Sequence, residues 1–162
     1  MSGSGSADAD LAQRELTIAR IVDASRELVF KAWTDPKHVA QWWGPKGFTN
    51  RVCEMDVRPG GAFRVVMRAP DGIEYPTTGI FNEIVEPERL VFTDVTLGKE
   101  GNHVLEGITT VTFADQHGKT KLTLHTSQTS VVGFEAEAAP KLAGMEEGWA
   151  QSLDRLAEHV AR

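Results

Sequence analysis

The chain has 162 residues, 41% hydrophobic and 25% charged, which suits one globular domain large enough to fold without a disulfide or a metal. Seventeen Lys and Arg stand against twenty-three Asp and Glu, a net charge of −6. The cations are scattered, whereas a nucleic-acid surface needs them clustered to displace phosphate counterions, so no nucleic-acid partner is expected.

Residues 1–13 are mostly Gly, Ser, Ala and Asp with little to bury, and read as a flexible leader before a single domain over 14–162. No signal-peptide apolar region and no run near the ~20 residues of a membrane span occurs. With Cys53 as the only cysteine, a reducing cytoplasmic location is the expectation. A first strand is expected over Glu15–Val22 from its β-branched residues. Ser25 then offers an N-cap to a helix over Ser25–Thr34, with Leu28, Val29, Ala32 and Trp33 at helical spacing. Asp35-Pro36 closes it and opens a second short helix, Pro36–Trp42, which Gly44-Pro45-Lys46-Gly47 ends.

From Phe48 to Gln128 the apolar period changes to two. Strands are expected over Phe48–Asp56, Ala62–Arg68, Ile73–Val85, Arg89–Leu97, Leu105–Ala114 and Thr120–Ser127. They are joined by the Arg58–Gly61 turn, the Asp71-Gly72 hairpin signal, Glu86-Pro87-Glu88, a Gly98–Asn102 loop and the Gln116-His117-Gly118 turn. Short connections imply an antiparallel meander. Helical period returns over Pro140–Val160, where Leu142, Met145, Trp149, Leu153, Leu156 and Val160 recur at steps of three or four. The class is α+β: a strand, two short helices, six strands and a long helix. One helix cannot cover a flat seven-stranded sheet, so the sheet must curl around it and leave a hollow.

Ordered motifs carry a resemblance. Asp23–Phe30, Trp33-Thr34-Asp35-Pro36 and Trp42-Trp43-Gly44-Pro45 come first. Asp56–Gly61, Gly79-Ile80-Phe81 and Pro87–Thr93 follow, and Gly148-Trp149 with Ser152–Leu156 closes the set. Together they resemble the family related to the activator of the Hsp90 ATPase, over residues 15–160. The resemblance implies the helix-grip fold shared with START lipid-transfer domains, polyketide cyclases and birch-pollen allergens. It implies no shared catalytic machinery, and the additional N-terminal domain of the eukaryotic co-chaperone has no room in this chain.

Chemistry is sparse in the pattern. The five histidines, His38, His103, His117, His125 and His159, show no metal-ligand spacing, and no metal or cofactor is expected. No nucleophile elbow and no phosphate-binding glycine loop is present. Cys53 lies in an alternating apolar stretch and reads as a buried, inert thiol. An acid–base pair would need one of the strand carboxylates Glu83, Asp94 or Glu106 to face inward near Tyr75, the single tyrosine; period alone leaves the facing of residues 75–85 open, since Phe81 and Ile80/Ile84 are all apolar.

Large apolar side chains from every element around the expected hollow form the candidate ligand wall: Trp42, Trp43, Phe48, Phe63, Met67, Tyr75, Phe81, Phe92, Met145 and Trp149. Two adjacent indoles cannot face one way on a helix, so one of Trp42 and Trp43 belongs at a cavity mouth. Gly148 beside Trp149 suggests close backbone approach. The first function expected is therefore binding of a small hydrophobic or amphipathic molecule. The alternatives are a cyclase, hydrolase or isomerase using an inward carboxylate with Tyr75, and a protein-interaction module of co-chaperone type. Exposed strand edges would also suit a homodimer.

Overall fold

A computed structural model describes residues 15–97, 103–131 and 144–161. Its elements are β1 (Glu15–Val22), α1 (Arg26–Thr34), α2 (Pro36–Trp42), β2 (Thr49–Met55), β3 (Ala62–Arg68), β4 (Glu74–Val85), β5 (Arg89–Leu97), β6 (His103–Gln116), β7 (Lys119–Val131) and α3 (Met145–Val160). The expected leader, the Gly98–Asn102 loop and residues 140–143 of the expected last helix lie outside the described residues. No helix among those described is long and apolar enough to cross a membrane.

Local chemistry sets the helix boundaries. Ser25 Oγ accepts from Leu28 N at 3.3 Å, capping α1, which relieves one of the amides that a helix start leaves unpaired. Asp35 serves both helices. Its own N–H closes α1 on Lys31 O at 2.9 Å, and its carboxylate accepts from Lys37 N at 2.9 Å to open α2. Pro36 fills the first turn of α2, where a missing N–H costs nothing.

The seven strands form one antiparallel sheet in the order β1-β7-β6-β5-β4-β3-β2. The β6–β7 hairpin turns through His117 and Gly118, at φ 55° and 87°. Positive φ at both central residues matches the right-handed twist of the flanking strands. This hairpin is longer than the alternation suggested, since pairing runs from Leu105↔Val131 to Gln116↔Lys119. A register shift between Phe81 and Glu83 settles β4: Phe81 is buried, Ile80 is 49% exposed, and Ile84 packs on the core. Two residues, Asn82 and Glu83, stand between these inward side chains where regular alternation would put one, and an extra residue is what a β-bulge inserts.

The curved sheet wraps α3 in a helix-grip arrangement. Its concave face packs Phe81, Leu90, Phe92, Val111, Phe113, Leu122 and Leu124 against Val29, Phe30 and Trp33 of α1, Trp42 of α2, and Leu153 and Leu156 of α3. Each such fully buried side chain contributes about 1.5–3 kcal/mol relative to exposure.

Candidate functional site

The concave face changes character along its strands. Inward positions on β5 run Leu90, Phe92, Asp94, Thr96, and on β7 Leu122, Leu124, Thr126, Gln128. Large apolar residues thus occupy the end under α1 and α2. Small or polar ones occupy the other end, and there the side chains do not fill the space between sheet and α3. A cavity of about 410 Å³ remains, partly open to solvent, within the range of small-molecule sites. The sheet contributes Met67, Tyr75, Thr77, Asp94, Thr96 and Leu105. The loop after α2 supplies Trp43, Gly44, Pro45 and Phe48; α3 and the residue before it supply Gly144, Met145, Gly148, Trp149 and Ser152.

The loop wall is stapled to α3 through its backbone. Arg155 Nη1 donates to the carbonyls of Trp43, Gly44 and Pro45 at 3.2, 2.9 and 3.0 Å, and Nη2 to Gln41 O at 3.1 Å. Ser152 Oγ accepts from Gly44 N, and Gln151 Oε1 from Lys46 N, both at 3.0 Å. Asn50 Nδ2 adds a bond to Trp43 O at 2.9 Å. A charged fork satisfying several carbonyls at once fixes loop geometry more firmly than neutral bonds would. Arg155 is the positioning residue that motif reading passed over; its one signal was membership of the Ser152–Leu156 block.

Aromatic contacts complete the wall. All four tryptophans of the chain cluster: Trp33 stacks on Trp149 with centroids 6.2 Å apart, Trp43 meets Trp149 edge-on at 5.3 Å, and Trp42 meets Trp33 at 4.7 Å. Trp43 and Trp149 line the cavity, with the other two indoles behind them.

Asp94 is the charged group of this wall among the described residues. It lies mid-sheet on a row that reads Phe63↔Gly79↔Asp94↔Gly107↔Gln128 across five strands. A Cβ on Gly79 would come 2.3 Å from the Phe63 ring, and one on Gly107 2.9 Å from Gln128 Nε2, so these side chains lean over the glycines. Asp94 Oδ1 accepts from Thr109 Oγ1 at 3.1 Å, and Thr109 is 3.0 Å from Thr126 Oγ1. Desolvation by burial pushes the Asp94 carboxyl up to about 7; the Thr109 hydroxyl and the residue's own backbone N–H work against that rise. Asp94 keeps some accessible surface. That surface faces the cavity rather than bulk water, so desolvation still governs.

Of the ten side chains expected at the ligand wall, Trp43, Phe48, Met67, Tyr75, Met145 and Trp149 line the cavity. Trp42, Phe63, Phe81 and Phe92 do not, which corrects the expectation for those four. Trp42 is fully buried and donates its indole N–H to Ala32 O at 2.9 Å. Phe63 packs at 5.3 Å on Phe81 and 5.5 Å on Phe92; all three border only a void of about 20 Å³ on the packed side. Large size marks a core residue as readily as a ligand wall. Thr77 and Thr96 were missed, although each stands two residues beyond a weighed position, Tyr75 and Asp94, and alternation would have found them once facing was known.

Other candidates separate cleanly. Glu83 is exposed and pairs with Arg89, and Glu106 does not line the cavity. Gly148 borders the cavity, and a Cβ there would meet only Pro45 Cγ at 3.9 Å, an ordinary contact, so close approach does not explain this glycine. Cys53 is half-buried against the core, and burial first, then Asp35, push its thiol up to about 11. His38 Nδ1 and His159 Nε2 meet at 2.8 Å, but no group of three metal-ligating residues occurs among those described. Of the strongly exposed apolar residues, Ile21, Ile80 and Ile108 come from β1, β4 and β6, and Ile73 from the turn before β4.

Comparison with known proteins places this geometry in a family. The family model described as activator of Hsp90 ATPase homolog 1-like protein matches residues 23–161. Among solved structures, a protein from Chromobacterium violaceum is similar at 28% identity, covering 91% of this chain and 97% of its own, with a TM-score of 0.75. One from Nitrosomonas europaea is similar at 27% identity over 94% and 95%, TM-score 0.72. One from Mycobacterium smegmatis is similar at 25% identity over 93% and 90%, TM-score 0.73. No curated protein matches the chain.

Proposed function

This chain belongs to the activator of Hsp90 ATPase homolog 1-like family, and from that premise we propose that it binds a small amphipathic molecule between the sheet and α3. The observation that carries this reading is the cavity of about 410 Å³, walled by Trp43, Phe48, Met67, Tyr75, Met145 and Trp149, with Asp94, Thr77 and Thr96 as its polar groups. An apolar wall with a few polar points is the composition of a ligand site. Binding would take place in a reducing cytoplasm, where Cys53 stays a thiol.

A thermal-shift and native mass-spectrometry screen of amphipathic metabolites tests the reading. A ligand at a hundred times its Kd adds about 2.7 kcal/mol of stability, a shift readily measured. Binding should also change the fluorescence of Trp43 and Trp149, and Gly148→Leu, which extends a side chain into the cavity, should abolish both effects. If no compound shifts the melting point, or if Gly148→Leu binds as well as the parent chain, the reading fails.

A second reading has one observation in its favour. Asp94, raised to about 7, and Tyr75 line the same cavity, and a carboxyl near neutrality is suited to acid–base catalysis. Incubating each bound compound with the protein and with Asp94→Asn would decide. Product formed by the parent chain alone supports catalysis; unchanged compounds throughout leave binding as the function.

A further inference from the structure

Resting on the reading of the cavity as a ligand site, the geometry points to a ligand that carries a basic nitrogen and seats it on the Asp94 carboxylate. Asp94 is the one charged side chain lining the cavity among the described residues. The neighbouring strands offer it no counter-charge, because their residues beside it are Gly79 and Gly107, and the side chains leaning over those glycines, Phe63 and Gln128, are uncharged. Among the described residues no cation pairs with it. Arg155, the cation behind the loop wall, is spent on four backbone carbonyls.

A carboxylate removed from bulk water without a partner is costly, and the cost falls only if the group takes up a proton or meets a cation. The surrounding hydroxyls favour the charged form. One hydroxyl proton cannot serve two acceptors, so Thr126 donates to Thr109 and Thr109 to Asp94, a relay with its donors aimed at the carboxylate. The wall around it suits a cation as well. Trp43, Phe48, Tyr75 and Trp149 bring aromatic rings to the same cavity, and ring faces attract ammonium groups. An anionic ligand would meet an uncompensated negative charge, and a neutral one would leave the carboxylate desolvated.

Affinity for an amine should rise with pH through the Asp94 titration, near 7. Among the described residues, the titratable groups facing the cavity are Asp94 from β5 and Tyr75 from β4. From β6 the wall receives Leu105, from α3 Met145, Gly148, Trp149 and Ser152, and from the loop Trp43–Phe48 no ionisable side chain. Glu147 lies outside, bonded to Gln151.

The test uses three probes on one skeleton: phenylbutylamine, phenylbutanol and phenylbutyrate, measured by calorimetry on the full chain. At about pH 8 the amine should bind about tenfold or more tighter than the alcohol, as a charge-assisted hydrogen bond gives, and the butyrate weakest. That advantage should shrink near pH 5.5 and vanish in Asp94→Asn, whose melting curve shows whether it folds; Thr109→Val, which removes the relay, should reduce it in part. Equal binding of alcohol and amine, or preference for the butyrate, overturns the basic-nitrogen inference while leaving the cavity reading intact. An amine advantage that survives in a folded Asp94→Asn also overturns it. If none of the three binds, while Gly148→Leu and the parent chain respond alike to the wider screen, the cavity reading itself falls and this inference with it.

Discussion

The two ends of the concave face use the same strands to opposite effect. Under α1 and α2, Phe113 meets Phe30 edge-on at 5.3 Å, and Phe63, Phe81 and Phe92 interlock, leaving a void of about 20 Å³, too small for more than one water. Four residues further along β5 than Leu90 stands Asp94, and the sheet now presents Thr77, Asp94 and Thr96 among Met67, Tyr75 and Leu105 to a cavity of about 410 Å³. Backbone pairing runs through both ends, with one register shift at Phe81/Glu83 and one at Thr96/Leu97, so the sheet does not depend on filling the second. Stability is concentrated at one end, which leaves the other free to carry a hollow and a poorly solvated carboxylate.

Paired truncations should show that division most strongly. Phe113→Ala should cost about 3–5 kcal/mol, as for other buried aromatics. Met145→Ala, on a half-buried residue at the existing cavity, should cost about 1 kcal/mol or less. Chemical denaturation measures both, and equal losses would mean the two ends are packed alike.

Asp94→Asn sharpens the contrast through pH. The native carboxyl is raised from 3.8 to about 7, so folding favours its protonated form. That contribution is full below about pH 4 and is lost as pH rises through about 7. Asparagine cannot ionise. The variant should therefore match the parent chain near pH 4 and exceed it at about pH 8 by on the order of 1–2 kcal/mol, a figure reduced from the full shift because the group faces a partly open cavity. Melting curves across this range would show it, and a gain that ignores pH would exclude desolvation of Asp94 as the cause.

The smallest effect is expected at Gly148. Alanine there has room, with Pro45 Cγ at 3.9 Å from its Cβ. It should stabilise α3 by about 0.5–1 kcal/mol through helix propensity alone. A loss instead would show that the wall is tighter than its geometry indicates.

The order of elements, the caps at Ser25 and Asp35, and the switch from helical period to alternation at Phe48 were legible because each depends on residues close in the chain. Six of the ten expected wall residues reach the cavity for a similar reason: the hollow follows from too little helix for the sheet. Trp42, Phe63, Phe81 and Phe92 could not be separated from the rest, because a large apolar side chain satisfies a packed core and a ligand wall equally. Nor was Asp94 distinguishable from Glu83 or Glu106 by composition.

Periodicity and turn chemistry, being short-range, dictated which segments became strands and helices and in what order they follow. Long-range register decided the rest. The shift between Phe81 and Glu83 brings Phe81 and Ile84 to the same side, cross-strand pairing sets Asp94 between Gly79 and Gly107, and Arg155 draws the Trp43–Pro45 loop over the hollow. These are agreements between residues on different elements, and no local pattern encodes which partner a strand or a guanidinium will meet.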